Sequence, residues 1–159
     1  NLDYAYFLLA TAHYERIVDE ISPLSNYGMV QRNLIKIVKN NDVRLKSILN
    51  GLPVNEPKLI LESLNSSILE NYLPFKAAFL GLGSDGHTAS LFNKSDINNL
   101  NQYPFILTKR RSEDYYRISL SSQALLQTPI IIFIVSGESK SKVVKNLLNQ
   151  NKCFLTRIL

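Results

Sequence analysis

The chain has 159 residues, 45% hydrophobic and 19% charged, enough for one domain with its own core and too few for two comfortable ones. A formal net charge of +5 and a pI near 9.3 favour an anionic partner, whether nucleic acid, membrane surface or phosphorylated metabolite. The single Cys153 excludes an internal disulfide, two histidines leave no cluster with zinc-ligand spacing, and no apolar run approaches the ~20 residues of a membrane helix.

Asn1 opens directly onto LDYAYFLLA, which reads as a buried strand. YGMVQRNLIKIVKN then places Met29, Val30, Leu34, Ile37 and Val38 at helical spacing, and LILESLNSSILENYL repeats that period after Pro57. FKAAFLGLG reads as a short strand ending in glycine, and TASLF as the opening of a helix. YPFILTK and YYRISLS read as strands, and SSQALLQ as a short helix with a serine N-cap. The unbroken run IIIFIV fits a central strand buried on both faces, and SKVVKNLLNQ has the spacing of a covering helix. The pattern predicts a three-layer α/β fold, a mostly parallel sheet flanked by helices. CFLTRIL closes the chain on apolar residues, so both ends read as interior to a longer fold, with residues 1–159 forming a single incomplete domain.

The densest basic cluster is Lys109-Arg110-Arg111, and no Lys/Arg-rich tract interleaved with aromatics marks a nucleic-acid surface. Neither nucleic acid nor membrane is the expected partner. One cysteine suits a reducing, cytoplasmic setting.

In such sheets ligands bind beyond the carboxyl ends of strands, so the loops after FLGLG, YYRISL and FIVSG are the places to seek chemistry. The first contains Gly81-Leu82-Gly83-Ser84-Asp85-Gly86, which satisfies the G-x-G-x-x-G pattern of a dinucleotide turn. Two features disagree with that reading: Asp85 would put a carboxylate beside the phosphates, and the next strand ends in basic residues rather than a ribose-binding acid. The loop ends in Asp85-Gly86-His87, a histidine leaving a glycine turn with a carboxylate two residues earlier to orient its ring, which suits a general base. A capping aspartate beside a solvent-exposed histidine is the plainer alternative for an isolated D-G-H.

The tripeptide is not isolated. GLGSDGHTASLF resembles the signature of the 6-phosphogluconolactonase family, within the group that also holds glucosamine-6-phosphate deaminases. Glu15-Arg16 and Ser25-Asn26-Tyr27-Gly28-Met29 resemble the family's D-E-R and S-N-Y-G-M elements. Arg117-Ile118-Ser119-Leu120-Ser121 resembles its arginine-bearing strand, and Ser136-Gly137-Glu138-Ser139-Lys140 its G-x-x-K turn. Thr88-Ala89-Ser90-Leu91-Phe92 and Arg16 favour the lactonase branch over the deaminases, which continue D-G-H toward I-A-F-N-E-P and carry D-E-Y. Tyr14 replaces the aspartate of D-E-R, Asn93 the proline after L-F, and the family's upstream Gly-Gly-Ser phosphate loop has no counterpart.

The resemblance implies a modified Rossmann arrangement, incomplete here, and hydrolysis of 6-phosphogluconolactone without cofactor or metal. His87 would take the proton of the attacking water, with Asp85 orienting it. Arg16, Arg117 and Lys140 would bind phosphate oxygens, and one of them, or the backbone N–H groups of Gly83 to Gly86, the oxyanion. The alternatives are a deaminase and a non-catalytic sugar-phosphate-binding fragment, and no oligomeric state follows. Each residue has a plainer role beside this one: Arg16 and Arg117 as surface partners of Asp19 and Asp114, Lys140 as a first-turn surface lysine, His13 as a packed histidine, Cys153 as a small buried residue.

Overall fold

The computed structural model describes residues 14–35, 53–67, 76–98 and 103–149. The strand expected at LDYAYFLLA, with the exposed apolar edge expected near Leu2 to Ala10, lies outside the described residues, as do His13 and Cys153. In chain order the elements are β1 (Tyr14–Arg16), α1 (Asn26–Val30), α2 (Pro57–Ser67), β2 (Ala78–Gly81), α3 (Lys94–Ile97), β3 (Phe105–Thr108), β4 (Arg117–Leu120), α4 (Ser122–Leu126), β5 (Ile131–Ile134) and α5 (Ser141–Leu148). A π turn, Gln31–Ile35, continues α1, and a 3-10 turn, Glu138–Lys140, leads into α5. No helix among the described residues is long and apolar enough to cross a membrane.

Two sheet segments result. β2 and β5 pair in parallel with Gly81 opposite Ile134, so the loops that follow them leave the same edge. β1, β4 and β3 form an antiparallel segment in that order, with Arg117 opposite both Arg16 and Thr108. Among the described strands, parallel pairing is confined to β2 and β5. The connection from Lys109 to Tyr116 is too short for the crossover a parallel pair needs, so β3 and β4 pair as a hairpin.

The core follows from spacing. Pro57 sits at the first helical position, where its missing N–H costs nothing, and Ile60 and Leu64, one turn apart on α2, are fully buried. Asn65 fixes the docking of α2 on β3: its carboxamide accepts from the Phe105 N–H at 3.1 Å and donates to the Phe105 carbonyl at 3.2 Å. Leu80, Leu91, Ile97, Phe105, Ile118, Leu120 and Leu125 complete the same cluster. Each aliphatic side chain buried this way contributes about 1.5–3 kcal/mol. A smaller cluster joins Leu82 to Val143 on α5, with Phe133 of β5 touching both.

Two local expectations are overturned. TASLF opens no helix: Thr88 and Leu91 face each other in an isolated bridge, and Ala89 adopts the left-handed region at φ 51°. The helix begins later, at α3, where the Asn93 side chain accepts from the Asp96 N–H and Asp96 reaches back to the Asn93 N–H in a capping box. Nor is β5 buried on both faces. Ile131 and Phe133 turn inward, while Ile132 and Ile134 are exposed on a face shared with Phe79 of β2. The serine cap expected before α4 is present, Ser121 Oγ accepting from the Ala124 N–H at 3.1 Å.

Leu64→Ala is expected to lower stability by about 2–5 kcal/mol in urea unfolding, because the vacated space is enclosed. Leu59→Ala, on the exposed side of the same helix, should fall within about 0.5 kcal/mol of the parent. Equal losses would place the buried face of α2 wrongly.

Candidate active site

The loop between β2 and α3 builds the site from a tight turn. Gly83 N–H donates to the His87 carbonyl at 2.8 Å, and Gly86, at φ 90°, donates its N–H to the Gly83 carbonyl at 3.0 Å. This closure folds residues 85 and 87 back over Gly83. A Cβ at position 83 would overlap the His87 ring and crowd Asp85 Oδ1, so the arrangement requires glycine there. The side chains are joined directly, His87 Nδ1 lying 2.5 Å from Asp85 Oδ1. Of the N–H groups of Gly83 to Gly86 expected for an oxyanion, those of Gly83 and Gly86 are engaged within the turn.

TASLF pins the turn to the sheet. Thr88 Oγ1 donates to the Gly81 carbonyl at 2.9 Å, the Ser90 N–H donates to Ser119 Oγ on β4 at 3.2 Å, and the Asp96 carboxylate accepts from the Phe92 N–H at 2.8 Å. Phe92 becomes the centre of a cluster. The His87 ring packs against it at 4.9 Å between centroids, and the guanidiniums of Arg110 and Arg117 each lie 5.4 Å from its ring centre.

Arg117 is buried and gripped by Glu113 through two parallel hydrogen bonds, Nε to Oε2 at 2.8 Å and Nη2 to Oε1. Its partner is thus Glu113, four residues earlier, rather than Asp114. Arg117 also lies over the Tyr115 ring at 5.5 Å, and the Tyr115 hydroxyl accepts from Arg16 Nε at 3.2 Å. Arg16 donates further to the Leu24 carbonyl at 2.8 Å and to Asn26 Oδ1 at 3.0 Å. His87, Asp85, Gly83, Arg16 and Arg117 therefore belong to one connected cluster. Lys140 lies on the turn after β5, at the same sheet edge, where it lines an open cleft of about 450 Å³ with Val135, Gly137 and Val144.

Four members of the cluster were not assigned from sequence. Phe92 lay inside the recognised motif, and Glu113 was legible as an acid four residues before Arg117. Arg110 was visible only as part of a basic triplet. It donates from Nη2 to Asp85 Oδ2 at 2.8 Å, across 25 residues of sequence. Tyr115 carried no signal beyond its type.

Among the described residues, three carboxyls are perturbed. Burial alone would raise Asp85, yet the hydrogen bond and charge of His87 outweigh it and hold the group below the usual carboxylate value. Glu113 is likewise lowered, partial burial being overcome by the hydrogen bonds and charge of Arg117, with Tyr115 and Arg16 adding to the effect. Asp96 moves the other way, its burial outweighing the N–H groups of Phe92 and Asn93.

A lowered Glu113 means that the folded state holds this proton less tightly than the unfolded chain does. Its contribution is fully present above the ordinary value of 4.5 and is lost as pH falls through the lower folded-state value. Glu113→Gln should cost about 1–3 kcal/mol at neutral pH by leaving the buried Arg117 half-partnered. Urea midpoints at neutral pH and below about pH 4 check this. The variant should lose less stability on acidification than the parent, and parallel losses would remove Glu113 from the acid response.

The model of the glucosamine-6-phosphate isomerases/6-phosphogluconolactonase family matches residues 11–154. The 6-phosphogluconolactonase of Haemophilus influenzae is 34% identical over 139 residues, covering 84% of this chain and 56% of that protein. That of Helicobacter pylori is 30% identical over 141 residues, covering 86% and 59%. The chain thus spans a little over half the length of these relatives. Among solved structures, a 6-phosphogluconolactonase from Shewanella baltica superposes with a TM-score of 0.65 at 26% identity, covering 92% of this chain and 64% of that one. The Thermotoga maritima 6-phosphogluconolactonase, at 23% identity, shares the fold with a TM-score of 0.69 over 87% of this chain and 62% of that one. With the α/β fold and the motif-bearing loop in agreement, the chain belongs to the glucosamine-6-phosphate isomerase/6-phosphogluconolactonase family.

Proposed function

We propose that this chain, as one incomplete domain of the lactonase fold, hydrolyses 6-phosphogluconolactone to 6-phosphogluconate in a cytoplasmic oxidative pentose phosphate route. The observation that carries the reading is the His87–Asp85 contact of 2.5 Å over Gly83. An ionised Asp85 accepts the Nδ1 proton, which leaves the lone pair on Nε2 and sets the tautomer a general base needs. In this reading Nε2 takes a proton from water as the water oxygen bonds to the lactone carbonyl carbon. The tetrahedral intermediate then expels the ring oxygen, which takes the proton back from His87, so water is consumed and one acid is formed. Arg16, Arg117 and Lys140 supply positive charge for the phosphate tail and for the oxyanion. The names of the relatives support the substrate, and Thr88 to Phe92 with Arg16 support the lactonase branch rather than the deaminase one.

His87→Asn keeps polarity and approximate size but removes the base, so turnover above spontaneous lactone hydrolysis should fall by at least about 10²-fold while affinity for 6-phosphogluconate changes little. Retention of most of the rate at neutral pH would reduce D-G-H to a structural turn. Ammonia release from glucosamine 6-phosphate by the parent would overturn the lactonase reading. Binding of 6-phosphogluconate with turnover of neither substrate would instead favour a non-catalytic module.

Gly83→Ala is expected to reduce turnover by about 10-fold or more with the urea midpoint nearly unchanged, because the added methyl displaces the His87 ring at an otherwise accessible loop. Wild-type activity in this variant would show that the ring's position over residue 83 is unimportant.

A further inference from the structure

We propose that Arg110 is an anion-binding residue of this site, with the Asp85 carboxylate holding its place until the phosphate group of a sugar phosphate arrives. The inference deepens the function proposed above and rests on it for the identity of the ligand. The three arginines of the cluster differ in how far they are committed. Arg117 is buried, and the Nε–Nη2 edge of its fork is taken by Glu113. Arg16 is bound to the Leu24 carbonyl, Asn26 and Tyr115. The Arg110 side chain is 42% exposed, uses one nitrogen on Asp85 Oδ2, and makes no other hydrogen bond among the described residues. A guanidinium presents five N–H donors in a planar fork that matches two phosphate oxygens, so most of its capacity is open to a ligand.

Its position is fixed although its donors are not. The guanidinium lies over Phe92, and Phe92 is anchored through its own N–H to Asp96 and touches the His87 ring. Arg110 and His87 thus meet at one aromatic ring and share the two oxygens of Asp85, so a phosphorylated ligand bound beside His87 brings its anionic oxygens to the neighbourhood of Arg110. An exposed ion pair such as Arg110–Asp85 is worth little by itself and is easily exchanged. Asp85, when it releases Arg110, keeps its other oxygen on His87.

Isothermal titration of the parent, Arg110→Ala and Arg110→Lys with 6-phosphogluconate, inorganic phosphate and unphosphorylated gluconate tests the assignment. Arg110→Ala should weaken 6-phosphogluconate and phosphate binding by about 10-fold or more, Arg110→Lys less, and the loss in the alanine variant should shrink at high salt. Gluconate, an anion without phosphate, should lose less affinity than 6-phosphogluconate does. In lactone turnover the same change should raise KM with kcat altered less than about 3-fold, and the effect should vanish with the unphosphorylated lactone. Unchanged phosphate and 6-phosphogluconate affinity in Arg110→Ala would overturn the proposal, as would a parent that binds neither. Absence of lactone turnover by a parent that still binds phosphate through Arg110 would strike the hydrolase reading alone.

Discussion

The imidazole of His87 and the carboxylate of Asp85 occupy the volume that a side chain at residue 83 would fill. Everything around the site serves that close approach. The turn is closed by the Gly83 N–H, Gly86 takes a backbone conformation that side-chain-bearing residues rarely adopt, and Thr88 ties the far end of the turn to the last carbonyl of β2. A base on a loop, the role proposed for His87, loses orientation unless the loop is over-determined. Here three backbone or hydroxyl hydrogen bonds and one ring contact do that within a stretch of about a dozen residues.

The left-handed Ala89 belongs to the same construction. A non-glycine residue at positive φ costs on the order of 1 kcal/mol or more and persists only where its neighbours enforce it. Ala89 is buried in the main cluster, between Thr88, held to β2, and Ser90, held to Ser119 on β4. The strain is offset by burial, and the chain that follows carries Phe92 to His87, Arg110 and Arg117. The core thus reaches the site through a single segment, and the antiparallel strands β1 and β4 deliver Arg16 and Arg117 to it side by side.

Much of this was legible in GLGSDGHTASLF, because glycines, a carboxylate and a histidine at fixed spacing constrain one another locally. The errors have a common cause. TASLF looks helical by composition, but the Thr88 hydroxyl takes the Gly81 carbonyl and Ser119 Oγ of β4 takes the Ser90 N–H, and these partners on two strands win over a local helix. IIIFIV looked doubly buried because apolar identity does not report how many faces a strand has covered. For Arg117 the plainer alternative of a partnership with Asp114 gives way to Glu113, which the bend before β4 brings to its guanidinium. Arg110 was unreadable for a different reason: its meeting with Asp85 depends on how β3 and the loop after β2 are placed, and no local pattern encodes that placement.

The exposed strip formed by Phe79, Ile132 and Ile134 runs along one face of the β2–β5 pair. Water wets such a strip poorly, and ions that are excluded from protein surfaces make the contact costlier still. Sulfate and phosphate salts should therefore salt this protein out at unusually low concentration for its charge, with the strip rather than the basic surface governing its solubility and its retention on hydrophobic chromatography media.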